Sequence, residues 1–209
     1  MNTTVAGAII ADGKSSRFGD INKARAHLGG KTLLKHVHER LQPQVSQLYL
    51  NCQPDFPATV EIDSPLIVPD YLANQKGPLN GVLGALDKAV EDGHEWLLIT
   101  PCDTPFIPTN LAIKLLNIAR ENSLEMVVSS YKGIPQASLS LWHRNLLQPL
   151  MRAVLDRGAE GFKQFYPHTL YELVEWPQAD YDPFLNVNHQ SDLSEAALIL
   201  NKLNSERPD

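Results

Sequence analysis

The sequence predicts an α/β fold, with a mostly parallel central sheet covered by helices on both faces. Two segments and one rhythm predict it. Val5-Ala6-Gly7-Ala8-Ile9-Ile10-Ala11 and Trp96-Leu97-Leu98-Ile99-Thr100 are nearly continuous apolar runs of strand length. Such runs belong to central strands buried on both sides, whereas strands with one wet face alternate apolar and polar residues. Around them, short apolar runs recur with amphipathic segments of helical period between them, which is the βαβ pattern of a parallel sheet.

After the first strand comes a loop, Asp12-Gly13-Lys14-Ser15-Ser16-Arg17-Phe18-Gly19-Asp20-Ile21-Asn22-Lys23. Gly13 and Gly19 let the backbone approach a ligand closely, and Lys14, Arg17 and Lys23 bring cationic donors to one short segment, as a phosphate-binding loop requires. An ordinary strand-to-helix loop with solvated lysines has the same composition. A P-loop is excluded because Gly13-Lys14-Ser15 would place its first glycine at Ala8, inside the strand. The dinucleotide fingerprint is excluded because it needs three glycines at fixed spacing, and only two are present.

From Lys31 to Gln42, Leu33, Leu34, Val37 and Leu41 recur at helical spacing, with Pro43 as a stop. His36 and His38 lie two apart on that helix, face different ways and do not form a metal pair. Ser46 to Cys52 and Leu66 to Val68 read as strands, the second ending in Pro69-Asp70. Gly77-Pro78-Leu79-Asn80-Gly81 opens a helix with Val82, Leu83, Leu86 and Val90 as its stripe and Gly93 as its stop. The strand from Trp96 runs into Pro101-Cys102-Asp103-Thr104-Pro105. Ligands of open parallel sheets bind beyond the carboxyl ends of strands, and a bound phosphate calls for Mg²⁺ on one or two carboxylates. Asp103 is therefore the metal-ligand candidate; the competing reading is a cap for the next helix. Leu111 to Arg120 is predicted helical, Met126 to Ser130 and Ala137 to Trp142 strands, Leu146 to Leu155 helical, Gly158 to Pro167 a loop with a short helix, and Leu170 to Trp176 a strand. Phe184 to Asn188 is expected as a short strand carrying Asn186 and Asn188 on one face, before a helix from Ser191 to Leu203.

The 209 residues suit one domain across 1–209, with 205–209 as a tail; no repeat or linker divides it. A net charge of −6 excludes a general nucleic-acid binder. Residues 1–40 carry seven basic and three acidic side chains, a balance of +4 that leaves −10 for the remainder. Concentrated positive charge at the loop suits a small polyanion better than a polymer. No apolar run approaches the about 20 residues that span a bilayer, so no membrane contact is expected and the protein is expected in the cytoplasm. Cys52 and Cys102 have neither disulfide-framework nor zinc spacing and are expected in the core.

Taken together, the boxes resemble those of the MobA family of molybdenum cofactor guanylyltransferases. The family's loop runs roughly Leu-Ala-Gly-Gly-x-Ser-x-Arg-Met-Gly-x-Asp-Lys, and Ile10 to Gly19 with Asn22-Lys23 is similar to it. Pro69-Asp70, Gly77 to Gly81, Pro101 to Pro105 and Asn186-Val187-Asn188 fall where the family has its other boxes. The resemblance implies a three-layer, Rossmann-like nucleotidyltransferase fold with a mostly parallel twisted central sheet, about 1–105 holding nucleotide and about 106–204 the acceptor. It implies transfer of GMP from GTP to the terminal phosphate of molybdopterin, with release of pyrophosphate and with Mg²⁺, for which Mn²⁺ is a substitute. It further implies catalytic roles for Lys23, Arg17 and Asp103, and nucleotide binding by Ile10, Ala11, Asp12, Gly13, Lys23, Asn51, Asp70, Gly77, Pro78, Leu79, Gly81 and Asp103. Asn186 and Asn188 would border the acceptor, with Asp103, and Asn188 beside it, at the metal. Small-molecule substrates and transient contact with other molybdenum cofactor proteins are the implied partners.

The chain departs from the family pattern at three places. Asp12 replaces a loop Gly, Asn22 replaces the Asp before Lys23, and Ile134-Pro135-Gln136 lacks the His before Pro. The competing readings are a related transferase using CTP or loading a phosphosugar, and an inactive nucleotide-binding homologue. Asn186-Val187-Asn188 matches the guanylyl box, where the cytidylyl relatives more often carry aspartates.

Overall fold

The computed structural model describes residues 5–11, 26–52, 62, 65–73 and 77–205. Of the expected site, Asp12, Gly13, Arg17 and Lys23 lie outside the described residues.

In chain order the elements are β1 (Val5–Ile10), β2 (His27–Leu28), β3 (Lys31–Thr32), α1 (Leu33–Leu41), β4 (Gln47–Asn51), β5 (Leu66–Val68) and α2 (Pro78–Glu91). There follow β6 (Trp96–Pro101), α3 (Leu111–Glu121), β7 (Met126–Tyr131), β8 (Ile134–His143), α4 (Leu147–Met151), α5 (Phe162–Phe165), β9 (Tyr171–Trp176) and α6 (Gln190–Ser205). Seven strands form one sheet in the order β5-β4-β1-β6-β8-β7-β9. Every pairing is parallel except those of β8, which runs antiparallel to both β6 and β7.

The double burial read from the first strand is what the packing requires. Val5 and Ile9 of β1 point into one apolar cluster with Leu34, Val37 and Leu41 of α1 and Leu111 and Leu115 of α3. Ala6 and Ala8, one residue out of phase, point into a second cluster with Leu79, Val82, Leu83 and Leu86 of α2 and Leu150 of α4. The same alternation continues in β4, where Leu48 and Leu50 face the first cluster and Tyr49 the second. Helices thus cover both faces, in three layers. A third cluster, comprising Ala26, Leu28, Leu33, Phe106, Val187, Ala196 and Ile199, fastens α6 and the segment before it to the β2–β3 hairpin and the turn after β6. Both cysteines are buried and neither is in a disulfide among the described residues.

Three local expectations are corrected. Lys31-Thr32 belongs to the β2–β3 hairpin, and the helix starts only at Leu33, with the Thr32 hydroxyl accepting Lys35 N–H at 3.2 Å as its cap. The βαβ rhythm breaks at β7–β8, which is a hairpin turning at Lys132 and Gly133 and not a crossover. Phe184 to Asn188 is not a strand: its Val187 N–H goes to the Asp103 carbonyl at 2.9 Å, a single long-range bond and not a ladder.

Candidate active site at the carboxyl ends of β1, β4 and β6

The chain leaves β1 for β4 and β5 on one side and returns to β6 on the other, so the order reverses between β1 and β6. Beyond the carboxyl ends of two such strands a crevice opens, because their connections leave in opposite directions. Ile10 pairs with Pro101 there, and the Cys102 N–H donates to the Ile10 carbonyl at 3.2 Å. The mouth of the glycine-lysine loop and the turn bearing Asp103 are therefore neighbours at the switch point.

Asp103 is 7% exposed, and the helix after it takes its N-terminus at Asn110. The capping reading of Asp103 fails on position, since Asn110 and not Asp103 precedes the first turn of α3. The flanking Thr100 and Thr104 hydroxyls are buried and make no hydrogen bond among the described residues. Among those residues no group of three or more His, Cys, Asp or Glu side chains is placed to hold a metal ion. One carboxylate with neutral oxygens around it is a hard donor set, fit for a cation that takes its remaining ligands from phosphate and water.

On the other side of β1, the Ala11 N–H donates to the Asn51 carbonyl at 2.9 Å, which ties the loop's root to the end of β4. Asn51 is fully buried; its Nδ2 donates to the Val68 carbonyl at 3.1 Å and to Asp70 Oδ1 at 3.0 Å. Asn51 and Asp70, nineteen positions apart in the chain, are brought together because β4 and β5 are parallel neighbours ending at the same level, Asn51 opposite Val68. Gly81 sits against this pair: a Cβ there would stand 2.9 Å from Asn51 Cγ and 3.1 Å from Asp70 Oδ1. Gly77 precedes α2 with φ +96°, a backbone that side chains disfavour, and Pro78 follows as the first helical residue. Ile10, Ala11, Asn51, Asp70, Gly81 and Asp103 thus border one region. Pro78 begins α2 beside them, and Leu79 turns away into the core.

The Asn186-Val187-Asn188 segment is joined to Asp103 through the backbone of its middle residue. Val187, between Asn186 and Asn188, is fully buried in the third cluster and bonds the Asp103 carbonyl. Asn186 is exposed and Asn188 half-buried. Asp192, in the first turn of α6, accepts the Asn188 and His189 N–H groups, each at 2.8 Å. Its burial would raise its pKa, but those N–H bonds outweigh it and hold the carboxyl below its ordinary value. Sequence reasoning missed Asp192 and Asn80. The signal for Asn80 was a carboxamide on the apolar stripe of α2, between Leu79 and Val82.

A parallel sheet whose order reverses between β1, which the sequence continues into Asp12-Gly13-Lys14, and β6, which leads to the buried carboxylate of Asp103, is the arrangement of an α/β enzyme that handles nucleoside phosphates. The chain belongs to the MobA-like NTP transferase domain family, whose model matches residues 7–170. It is 33% identical over 196 residues to the molybdenum cofactor guanylyltransferase of Rhodopseudomonas palustris strain BisB5, covering 91% of either chain. The fold matches the molybdopterin-guanine dinucleotide biosynthesis protein A of Archaeoglobus fulgidus with TM-score 0.75, at 21% identity, covering 94% of this chain and 99% of that one. It also matches the manganese complex of Rv0371C from Mycobacterium tuberculosis with TM-score 0.69, at 15% identity, covering 94% and 99%. The protein is a nucleotidyltransferase of molybdenum cofactor biosynthesis.

Proposed function

We propose that the protein transfers GMP from GTP to the terminal phosphate of molybdopterin, forming the guanine dinucleotide cofactor and releasing pyrophosphate. The observation that carries this reading is Asp103 buried at the switch point and hydrogen-bonded through its carbonyl to Val187, between the two asparagines of the acceptor box. In this reading nucleotide and acceptor meet at one carboxylate. Lys23 and Arg17 neutralise the triphosphate, and the loop backbone at Ala11 to Gly13 cradles it. Asn51 and Asp70 hold the nucleoside side, and Asn186 and Asn188 border the pterin phosphate. The acceptor phosphate attacks the α-phosphorus in line, the α–β bridge breaks, and pyrophosphate leaves; no protein nucleophile is needed, so Cys102 keeps a packing role. Catalysis is then positioning and charge stabilisation.

Asp103 is the residue to hold Mg²⁺, with Asn188 beside it. Manganese in the M. tuberculosis structure supports a divalent ion of this size and hardness. When bound, the ion neutralises charge on the phosphate oxygens. No described helix is long and apolar enough to cross a membrane, and we place the reaction in the cytoplasm.

The test is incubation of the purified protein with molybdopterin, Mg²⁺ and either GTP or CTP, with the dinucleotide product and pyrophosphate quantified. GTP-dependent product at a kcat/KM at least about tenfold above CTP is expected, a discrimination of about 1.4 kcal/mol. Product from CTP alone would reassign the base.

A further inference from the structure

Asn80 lies within the Gly77–Gly81 box but is not among the residues expected to bind nucleotide, and its side chain is engaged at both its donor and its acceptor. It is 0% exposed and lies in the first turn of α2. Its Oδ1 accepts the Leu72 N–H at 2.8 Å and its Nδ2 donates to the Leu72 carbonyl at 2.7 Å. The Tyr71 N–H donates in turn to the Asn80 carbonyl at 3.4 Å. The carboxamide thus pairs with one residue's backbone at both its donor and its acceptor, as a strand would, and only one orientation of the amide satisfies both bonds. Residues of the apolar stripe on either side, Leu79 and Val82, need no polar neighbour, and Asn is a poorer helix former than they require. A buried carboxamide here is explained by what it holds.

What it holds is the turn that presents Asp70. The next turn of α2 reinforces it: a Cβ on Gly84 would stand 2.5 Å from the Pro69 carbonyl and 3.3 Å from the Tyr71 nitrogen, so the backbone of Pro69 to Tyr71 lies directly on the helix. Asp70 is fixed from two independent sides, its carboxylate by Asn51 from β4 and its flanking backbone by Asn80 from α2.

We infer that Asn80 is a positioning residue of the nucleotide pocket, which sets affinity for the nucleoside triphosphate by locking the Pro69–Leu72 turn so that Asp70 stands ready for the ligand. The inference rests on the reading of Asp70 as part of that pocket. Without the lock, part of the binding free energy goes into ordering the turn, and affinity falls while the bonds broken and made at phosphorus are untouched.

The experiment is a double-mutant cycle with Asn80→Ala, Asp70→Ala and the double variant in the full chain. GTP affinity is measured by calorimetry, kcat and KM by pyrophosphate release, and folding by circular dichroism. Asn80→Ala should weaken GTP about tenfold with kcat within about twofold, and in the Asp70→Ala background it should weaken GTP no further. A residue with only a structural role would lower the melting temperature and leave GTP affinity unchanged, or its effect would multiply with that of Asp70→Ala; either result overturns the inference. If Asp70→Ala itself leaves GTP affinity unchanged, the pocket reading falls and the inference with it, which distinguishes the two failures. Asn80→Ser, which keeps a small polar group in the same space, is taken through the same cycle so that the comparison stands if Asn80→Ala does not fold.

Discussion

At the scale of single residues, charge placement decides function. Asp103 is nine-tenths buried at the carboxyl end of β6 and does not cap α3, which places its charge where a ligand at the switch point would meet it. Asp103→Asn keeps the shape and removes the charge. Turnover measured as pyrophosphate release should fall more than about tenfold with the melting curve little changed, since each 1.4 kcal/mol of lost transition-state stabilisation costs about a factor of ten; retention of more than about a tenth of kcat would remove Asp103 from the chemistry. Lys23 and Lys31 form a second contrast. Lys31 is a surface residue whose Nζ lies 2.8 Å from Glu39, a half-exposed pair worth little to stability. Lys23→Ala should raise KM for GTP and slow transfer, and Lys31→Ala should do neither. Equal effects would mean that diffuse positive potential rather than a defined contact attracts the nucleotide.

At the scale of elements, the end of the Asn186-Val187-Asn188 segment depends on how α6 begins. Asp192 reaches back to two N–H groups and orders Asn188 and His189 before the helix, as the acidic member of a capping box does. Because its pKa is depressed in the folded protein, the stabilisation is present above the unfolded value of about 4 and is lost as pH falls through the lower folded value. Asp192→Ala should cost about 1 kcal/mol at neutral pH, and that difference from wild type should shrink as the solution is acidified below about pH 4. Chemical denaturation at pH 7 and below pH 4 measures it, and a pH-independent difference would mean that packing rather than the ionised cap is what the substitution removes.

At the scale of the molecule, the layers bring segments from the chain's beginning, middle and end to one edge of the sheet, so a ligand held there stabilises all of them together. With Mg²⁺ and GTP at about a hundred times Kd, the linkage is about 2.7 kcal/mol, or roughly 5 to 10 °C in melting temperature for a chain of this size. Asp103→Asn should abolish most of the Mg²⁺-dependent part of the shift, and an undiminished shift would place the metal elsewhere. Much of this architecture was legible in the sequence. Doubly buried runs at β1 and β6, the stripe of α2 and the boxes at strand ends are local patterns, and a strand or helix buries the face its period supplies whatever it packs against. Period does not name the partner. Phe184 to Asn188 alternates like a strand, but its backbone finds the Asp103 carbonyl in place of a neighbouring strand. β8 follows β7 by a hairpin, because a turn at Lys132-Gly133 closes the ladder before any crossover can form. Asn80 looks like a polar lapse in an apolar stripe until the turn at Leu72 is laid against it. Composition and periodicity by themselves determined which faces are buried and which residues stand at the strand ends. Only the tertiary structure decided where each backbone group and carboxamide finds its hydrogen bond, because a partner far along the chain is chosen by packing and not by the residues on either side.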